Sequence, residues 1–237
     1  TAAPRDDVNA LAAEGIEVTV HKGMHTAHAY FDDPGARPFS DIDLHVSKSD
    51  EAAAGEVLSS LGFEKGAVCR WSREVEWTLK GMNREPRTLC LVHADDPWSI
   101  DLRPSLNRGP YRGGRVSRLD EASDEFGRQR WTGSAGAAVL GQPLLLLYLA
   151  AHTGMTLETL TLLRIAELAL VIRRDTETGS LFWSEFLDVG RRTGTLGFCY
   201  PSLLCSEKIR PATIPVEVLH QCRLAAPATA RRIAEGL

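Results

Sequence analysis

The chain has 237 residues, 43% hydrophobic and 24% charged, with a formal net charge of −4. That is the composition of an ordinary globular protein, long enough for one large domain or two small ones. No apolar run approaches the ~20 residues of a membrane-spanning helix, and the net acidity gives no general attraction to nucleic acid.

Residues 7–14 read as the end of a helix stopped by Gly15. The run 16–23, IEVTVHKG, is β-branched and alternating, the pattern of a strand ending at Gly23. MHTAHAYF is helical in character, and DDPGARP is turn chemistry. DIDLHV is a second strand. SKSDEAAAGEVLSSLGF is a helix with Ser49 as N-cap and Gly62 as terminator. EVEWTLKG, RTLCLVH and WSIDLRPSL are short alternating segments that read as strands of one sheet. Residues 107–118 are a loop rich in Gly and Arg. RLDEASDEF is a short helix, and RWTGSAGAAVLG is extended. From residue 141 the chain is helical, in four segments punctuated by Gly154, Gly179 and Gly194. The expected fold is α+β: a mixed-sheet domain over 1–125, then a helical domain over 126–237. Five cysteines, at positions 69, 90, 199, 205 and 222, contain no CxxC pair. They argue against a disulfide framework and for a reducing, cytoplasmic setting. No signal peptide is evident in a sequence that begins at Thr1.

Aspartate is a poor strand residue, yet Asp41 and Asp43 flank Ile42 in a strand. Residues i and i+2 of a strand project from one face, so the two carboxylates point together. Such a pair repels unless a cation neutralises it, and Mg²⁺ held by carboxylates and substrate phosphates is the simplest solution. Asp101, inside WSIDLRP, is the candidate third ligand if its strand lies beside the first. Three converging carboxylates suit two divalent ions that clamp a phosphoryl transfer. Upstream, Lys22 and Gly23 close a strand and open a helix, a place where backbone N–H groups meet an anion.

The ordered set of strand, KG turn, helix, S-D-I-D-L strand, helix ending in Gly-Phe and later strand Asp resembles the DNA polymerase β-type nucleotidyltransferase superfamily. Residues 21–63 are similar to the uncharacterised bacterial nucleotidyltransferase family, with its KG…Y…RP.SDIDLLV…A…L…GF signature. That resemblance implies Asp41, Asp43 and Asp101 as catalytic metal ligands for Mg²⁺ or Mn²⁺. It implies Lys22, Gly23, Arg37, Ser40 and Arg103 at the nucleotide. It also implies transfer of an NMP group from an NTP such as ATP to a small-molecule, peptide or protein acceptor. The helical domain would recognise the acceptor. The superfamily's Ser after the glycine is Met24 here, and Arg103 stands where a His is usual. Two other readings use the same residues: a non-catalytic nucleotide-binding or toxin–antitoxin-type partner protein, and a metal-dependent phosphohydrolase.

Other features have plainer readings. His21, His25, His28 and His45 cluster without an evident carboxylate partner for a transition metal. His152 and Glu167 lie in apolar helices, as packed or paired groups. Trp71, Trp77 and Trp131 default to packing. The arginines between 84 and 118 read either as a solvated face or as an anion site.

Overall fold

The computed structural model describes residues 4–39, 41–69, 73–81, 99–111, 115–126, 128–131, 133, 136–156 and 160–236. The chain divides into two compact units, 1–106 with 128–140, and 107–127 with 141–237. In place of the single cut expected after residue 125, the chain passes between the units three times, after residues 106, 127 and 140. The reason is pairing: a hairpin from beyond the expected boundary returns to the sheet.

The first unit carries helix α1 (Pro4–Ala13), strand β1 (Val18–Val20), helix α2 (Gly23–Tyr30), a 3₁₀ turn (Pro34–Ala36), strand β2 (Asp41–His45) and helix α3 (Glu51–Ser60). Strands β3 (Phe63–Val68), β4 (Val75–Leu79) and β5 (Ser99–Arg103) follow. Its last strands, after a stretch that belongs to the other unit, are β8 (Arg128–Arg130) and β9 (Ala137–Leu140). The sheet order is β3-β4-β5-β2-β1-β9-β8. β2 runs parallel to β5, and β1 parallel to β9, while the remaining neighbours are antiparallel. The expected strand at RTLCLVH lies outside the described residues.

The register sorts the central strands into two chemically distinct faces. Val18, Val20, Ile42, Leu44, Ile100 and Leu102 share one face and are fully or almost fully buried. They meet Val8 and Leu11 of α1 and Ala54 and Leu58 of α3 in one apolar core. Each large aliphatic side chain buried there contributes about 1.5–3 kcal/mol. The alternate positions, Thr19, His21, Asp41, Asp43, His45, Asp101 and Arg103, form the other face. Burial on one face drives the strand pairing, and this leaves the other face free to carry polar chemistry.

Two local details depart from the sequence reading. Helix α3 starts at Glu51, later than a Ser49 cap predicts; the residue before it, Asp50, makes no side-chain cap hydrogen bond, and Ser47 and Ser49 belong to the turn that precedes the helix. Ser47 Oγ accepts from the Asp50 N–H at 3.2 Å and donates to the Asp50 carboxylate at 2.8 Å, while Ser47 and Ser49 share a 2.6 Å hydroxyl contact. Phe63, the last residue of the run read as a helix, instead opens β3 against β4.

Among the described residues, the second unit holds β6 (Arg108–Tyr111), β7 (Arg115–Ser117), α4 (Asp120–Phe126) and six more helices. These are α5 (Leu144–Met155), α6 (Leu162–Glu177), α7 (Trp183–Arg192), α8 (Leu196–Ile209), α9 (Val216–Ala225) and α10 (Ala228–Gly236). The expected loop at 107–118 is thus a short two-stranded ribbon. Helix α5 is apolar on every side and buried from Leu144 to Ala151, as the centre of a bundle must be. Small residues let α8 close on it: Ser202 Oγ donates to the Ala150 carbonyl at 2.7 Å, and Cys199 Sγ to the Leu147 carbonyl at 3.7 Å. Gly154 is no punctuation mark. It sits inside α5, and a Cβ there would lie 2.0 Å from the Phe198 carbonyl oxygen.

Candidate active site

The site is built on the polar face of the sheet. In the parallel pairing of β2 with β5, Asp43 lies directly beside Asp101. Asp41 is two residues before Asp43 on the same face. One ligand oxygen from each of the three carboxylates lies within 4.8 Å of the others. This is the convergence anticipated from the sequence, and its cause is the adjacency of β2 and β5. Among the described residues, these three form the one group of His, Cys, Asp and Glu side chains so arranged. The histidines go elsewhere. His25 is buried and packs edge-on against Tyr30, His28 approaches Trp131, and His45 Nδ1 is 3.4 Å from the Arg128 guanidinium.

Lys22 closes β1 and points into the acids. Its ammonium is 2.6 Å from Asp43 Oδ1 and 3.7 Å from Asp41 Oδ2. The backbone at Lys22 has φ +47°, a region that side-chain-bearing residues rarely occupy. Strain of this kind costs about 1–3 kcal/mol and is held where the surrounding structure requires it. Gly23 follows at φ +36° and begins α2, beside Phe39 and the Asp41 backbone. A Cβ at Gly23 would find its nearest atom at 3.5 Å, so the backbone angle, not crowding, calls for glycine.

Arg103 is buried beside the acids. It is two residues beyond Asp101 on the same face, 1% exposed, and its Nη2 donates to Asp43 Oδ1 at 3.3 Å and to the Glu74 carboxylate. In this position it is an internal counter-charge to the acids. Glu74 was not singled out by its sequence. It stands just before β4, whose next residues pair across to β5, and it hydrogen-bonds Asp101 as well as Arg103. A charged residue opening an alternating segment is too common a pattern to signal a site. The antiparallel β4–β5 register decides its place.

Arg37 lies in the turn before β2, where its guanidinium donates to the Pro38 carbonyl at 2.6 Å. Ser40 lies outside the described residues. The remaining arginines of the middle third have partners in the helical unit. Arg108 stacks over and hydrogen-bonds Tyr148, Arg115 donates to the Ala225 carbonyl, and Arg118 pairs with Glu121. Arg84, Arg87 and Arg112 lie outside the described residues. Glu167 is buried within α6, and His152 stacks on Tyr148.

The electrostatics are those of acids crowded out of water. Burial raises the Asp43 carboxyl, Lys22 opposes that rise, Asp41 adds to it and Arg103 relieves it. Burial also pushes Asp101 up to about 9, helped by the Glu74, Asp43 and Asp41 charges. Asp43 Oδ2 is buried and has no hydrogen-bond partner among the described residues. An unpartnered carboxylate oxygen in such a place calls for a cation, and an all-oxygen donor set suits Mg²⁺ or Mn²⁺.

No curated protein matches the sequence. Among solved structures, that of the antibiotic-resistance factor ANT(2'')-Ia aligns with a TM-score of 0.47 at 10% identity, over 71% of this chain and 80% of that one. No helix among the described residues is long and apolar enough to cross a membrane. The profile of a family described as "Uncharacterised nucleotidyltransferase" matches residues 8–211, most of the chain, and the protein belongs to that family.

Proposed function

We propose that the protein is a metal-dependent nucleotidyltransferase that moves an NMP group from an NTP to an acceptor and releases pyrophosphate. In the reaction an acceptor oxygen or nitrogen bonds to the α-phosphorus, the bond from that phosphorus to the pyrophosphate oxygen breaks, and the acceptor loses a proton. The observation that carries the reading is the convergence of Asp41, Asp43 and Asp101, with the orphaned Asp43 Oδ2 among them. A divalent ion held by these three would polarise the reacting phosphoryl group and lower the pKa of the attacking group. Lys22 supplies a positive charge at the edge of the acids, and the turn at Gly23 presents the start of α2 to an anionic phosphate. The three acids rest on paired strands, which holds them in a fixed geometry before substrate arrives. Arg37 and Ser40, just ahead of β2, are proposed triphosphate contacts. Acceptor recognition is assigned to the helical unit, and the chain's net acidity favours a small molecule, peptide or protein over nucleic acid.

The test is calorimetric titration of the four NTPs with Mg²⁺ or Mn²⁺, together with pyrophosphate release in the presence of candidate acceptors. Binding of one or more NTPs should require the metal and vanish in Asp41→Asn and Asp43→Asn. Metal-dependent NTP binding that persists unchanged in both variants refutes the assignment.

A further inference from the structure

The helical unit has a cavity of its own, about 450 Å³, where β7, the turn between α7 and α8, and the end of α9 meet. That volume suits a small molecule. Among the described residues, the charged groups that line it are Arg115 and Arg191, and no acid lines it, in a chain whose net charge is −4. Arg115 Nη1 donates to the Ala225 carbonyl at 2.6 Å, which fixes the guanidinium and leaves its charge unneutralised. Arg191 is exposed, and its side chain has no acceptor among the described residues. Its neighbour Arg192 is the contrast, paired with Glu125 at 2.9 Å and with Asp188 at 3.0 Å. The backbone adds two donors. Thr195 precedes α8, but its hydroxyl is shared with Ser117 at 2.7 Å and Thr193 at 2.8 Å and caps nothing. Leu196 and Gly197, both buried, therefore line the cavity with N–H groups that have no acceptor among the described residues. Buried backbone donors left in that state are rare.

From this set we propose that the cavity binds a small molecule through an oxyanion, a phosphate or a carboxylate. Guanidinium and backbone N–H groups are donors only, so a site that offers both takes an acceptor. The two arginines decide its sign. With no acid in the lining, their charges attract an anion, and a planar guanidinium matches the paired oxygens of a carboxylate or phosphate. Arg115 is already oriented by Ala225, so little side-chain freedom is lost when the anion arrives. Gly194 turns the chain at φ +69° between α7 and α8, which brings Arg191 and the first N–H groups of α8 to one cavity. Val116, Leu196 and Ala225 supply apolar wall for the body of the molecule. The inference lies wholly within the second unit. It goes beyond the nucleotidyltransferase reading, and either can fail without the other.

The experiment is titration of the full-length protein with inorganic phosphate and, separately, with acetate, followed by calorimetry and amide nuclear magnetic resonance. EDTA is present throughout, so that no metal at the three aspartates holds the phosphate. Chloride at the same ionic strength is the control anion. At least one probe should bind saturably, with the largest amide shifts at Gly194, Leu196 and Gly197. Arg191→Gln and Arg115→Gln should each weaken that binding by about 10-fold, the loss expected for one hydrogen bond to a charged group. Arg192→Gln, which removes a guanidinium already paired with acids, should leave it unchanged. If Arg115→Gln does not fold without its bond to Ala225, Arg191→Gln still decides the matter, because that side chain is exposed and holds nothing in place. Tighter binding of phosphate supports a phosphate-bearing ligand, and equal or tighter binding of acetate supports a carboxylate. Absence of saturable binding by either probe overturns the proposal. So does chloride that displaces the probes at equal concentration, or affinity that is unchanged in folded Arg191→Gln.

Discussion

Asp101→Asn should stabilise the metal-free protein while removing its response to metal. Asp101 shares a 4.8 Å neighbourhood with Asp41 and Asp43 and also faces Glu74. Two unit charges at 4.8 Å repel by about 3.5 kcal/mol at an effective dielectric of about 20. The Lys22 and Arg103 charges offset part of the total, which leaves a net cost of about 2 kcal/mol for an ionised or forcibly protonated Asp101 near neutral pH. At this chain size, 1 kcal/mol moves the melting temperature by about 2–4 °C, so Asn should raise it by about 4–8 °C in EDTA. The pH dependence has a definite sign. The unfolded carboxyl releases its proton near 3.8 and the folded one near 9. Between those values the folded state binds more protons, so wild-type stability falls as pH rises. The advantage of Asn is then small near pH 4 and grows toward pH 9. Saturating Mg²⁺ should reverse the order, because a ligand at a hundred times its Kd adds about 2.7 kcal/mol to the wild type and little to the variant. With Asp41 and Asp43 still present for an ion that enters with the NTP phosphates, NTP binding should survive in the variant and turnover should not. The assay is thermal and urea unfolding at several pH values, with EDTA or Mg²⁺. An Asn variant less stable than wild type in EDTA, or one that gains as much from Mg²⁺, refutes the reasoning.

Three further outcomes follow from the fold. Burial lowers the His25 pKa from 6.5 to about 4. The unfolded chain therefore binds the extra proton first, and acidification from pH 7 to pH 5 should remove about 2 kcal/mol that His25→Gln does not lose; equal losses in urea melts contradict the buried, neutral imidazole. Gly154→Ala is a test of opposing signs. Helix propensity favours alanine by about 1 kcal/mol, but the 2.0 Å approach of a Cβ to the Phe198 carbonyl should make the variant about 1–3 kcal/mol less stable, and a rise in melting temperature would contradict the close α5–α8 crossing. Gly23→Ala has room for its methyl group, so the φ of +36° alone should cost about 1–2 kcal/mol of stability. Nucleotide affinity should fall further than stability does; calorimetry that shows wild-type affinity would separate this turn from the phosphate.

Much of the site was legible because its chemistry opposes its local structure. Asp41 and Asp43 stand out in a strand that has no local use for them, and the period of two places them on one face. Lys22 and Gly23 stand out because a strand ends and a helix begins there. The apolar alternation of 18–20, 42–44 and 100–102 likewise marks strands that must be covered on one side. Glu74 and the role of Arg103 were not legible in this way, since a Glu before a strand and an Arg within one have many uses.

By itself the sequence determined the central strands β1, β2 and β5, the apolar face of each, and the two acids that share one side of β2. These depend on neighbours a few residues apart, where the backbone repeat converts spacing directly into direction. The tertiary structure alone decided that β5 lies beside β2 and brings Asp101 to Asp43. It also decided that β9 returns to β1 across the expected boundary, and that Arg103 turns inward to Asp43 and Glu74. Strand order, and with it the partners of every buried charge, follows from which distant faces pack together most completely, and no local period encodes that choice.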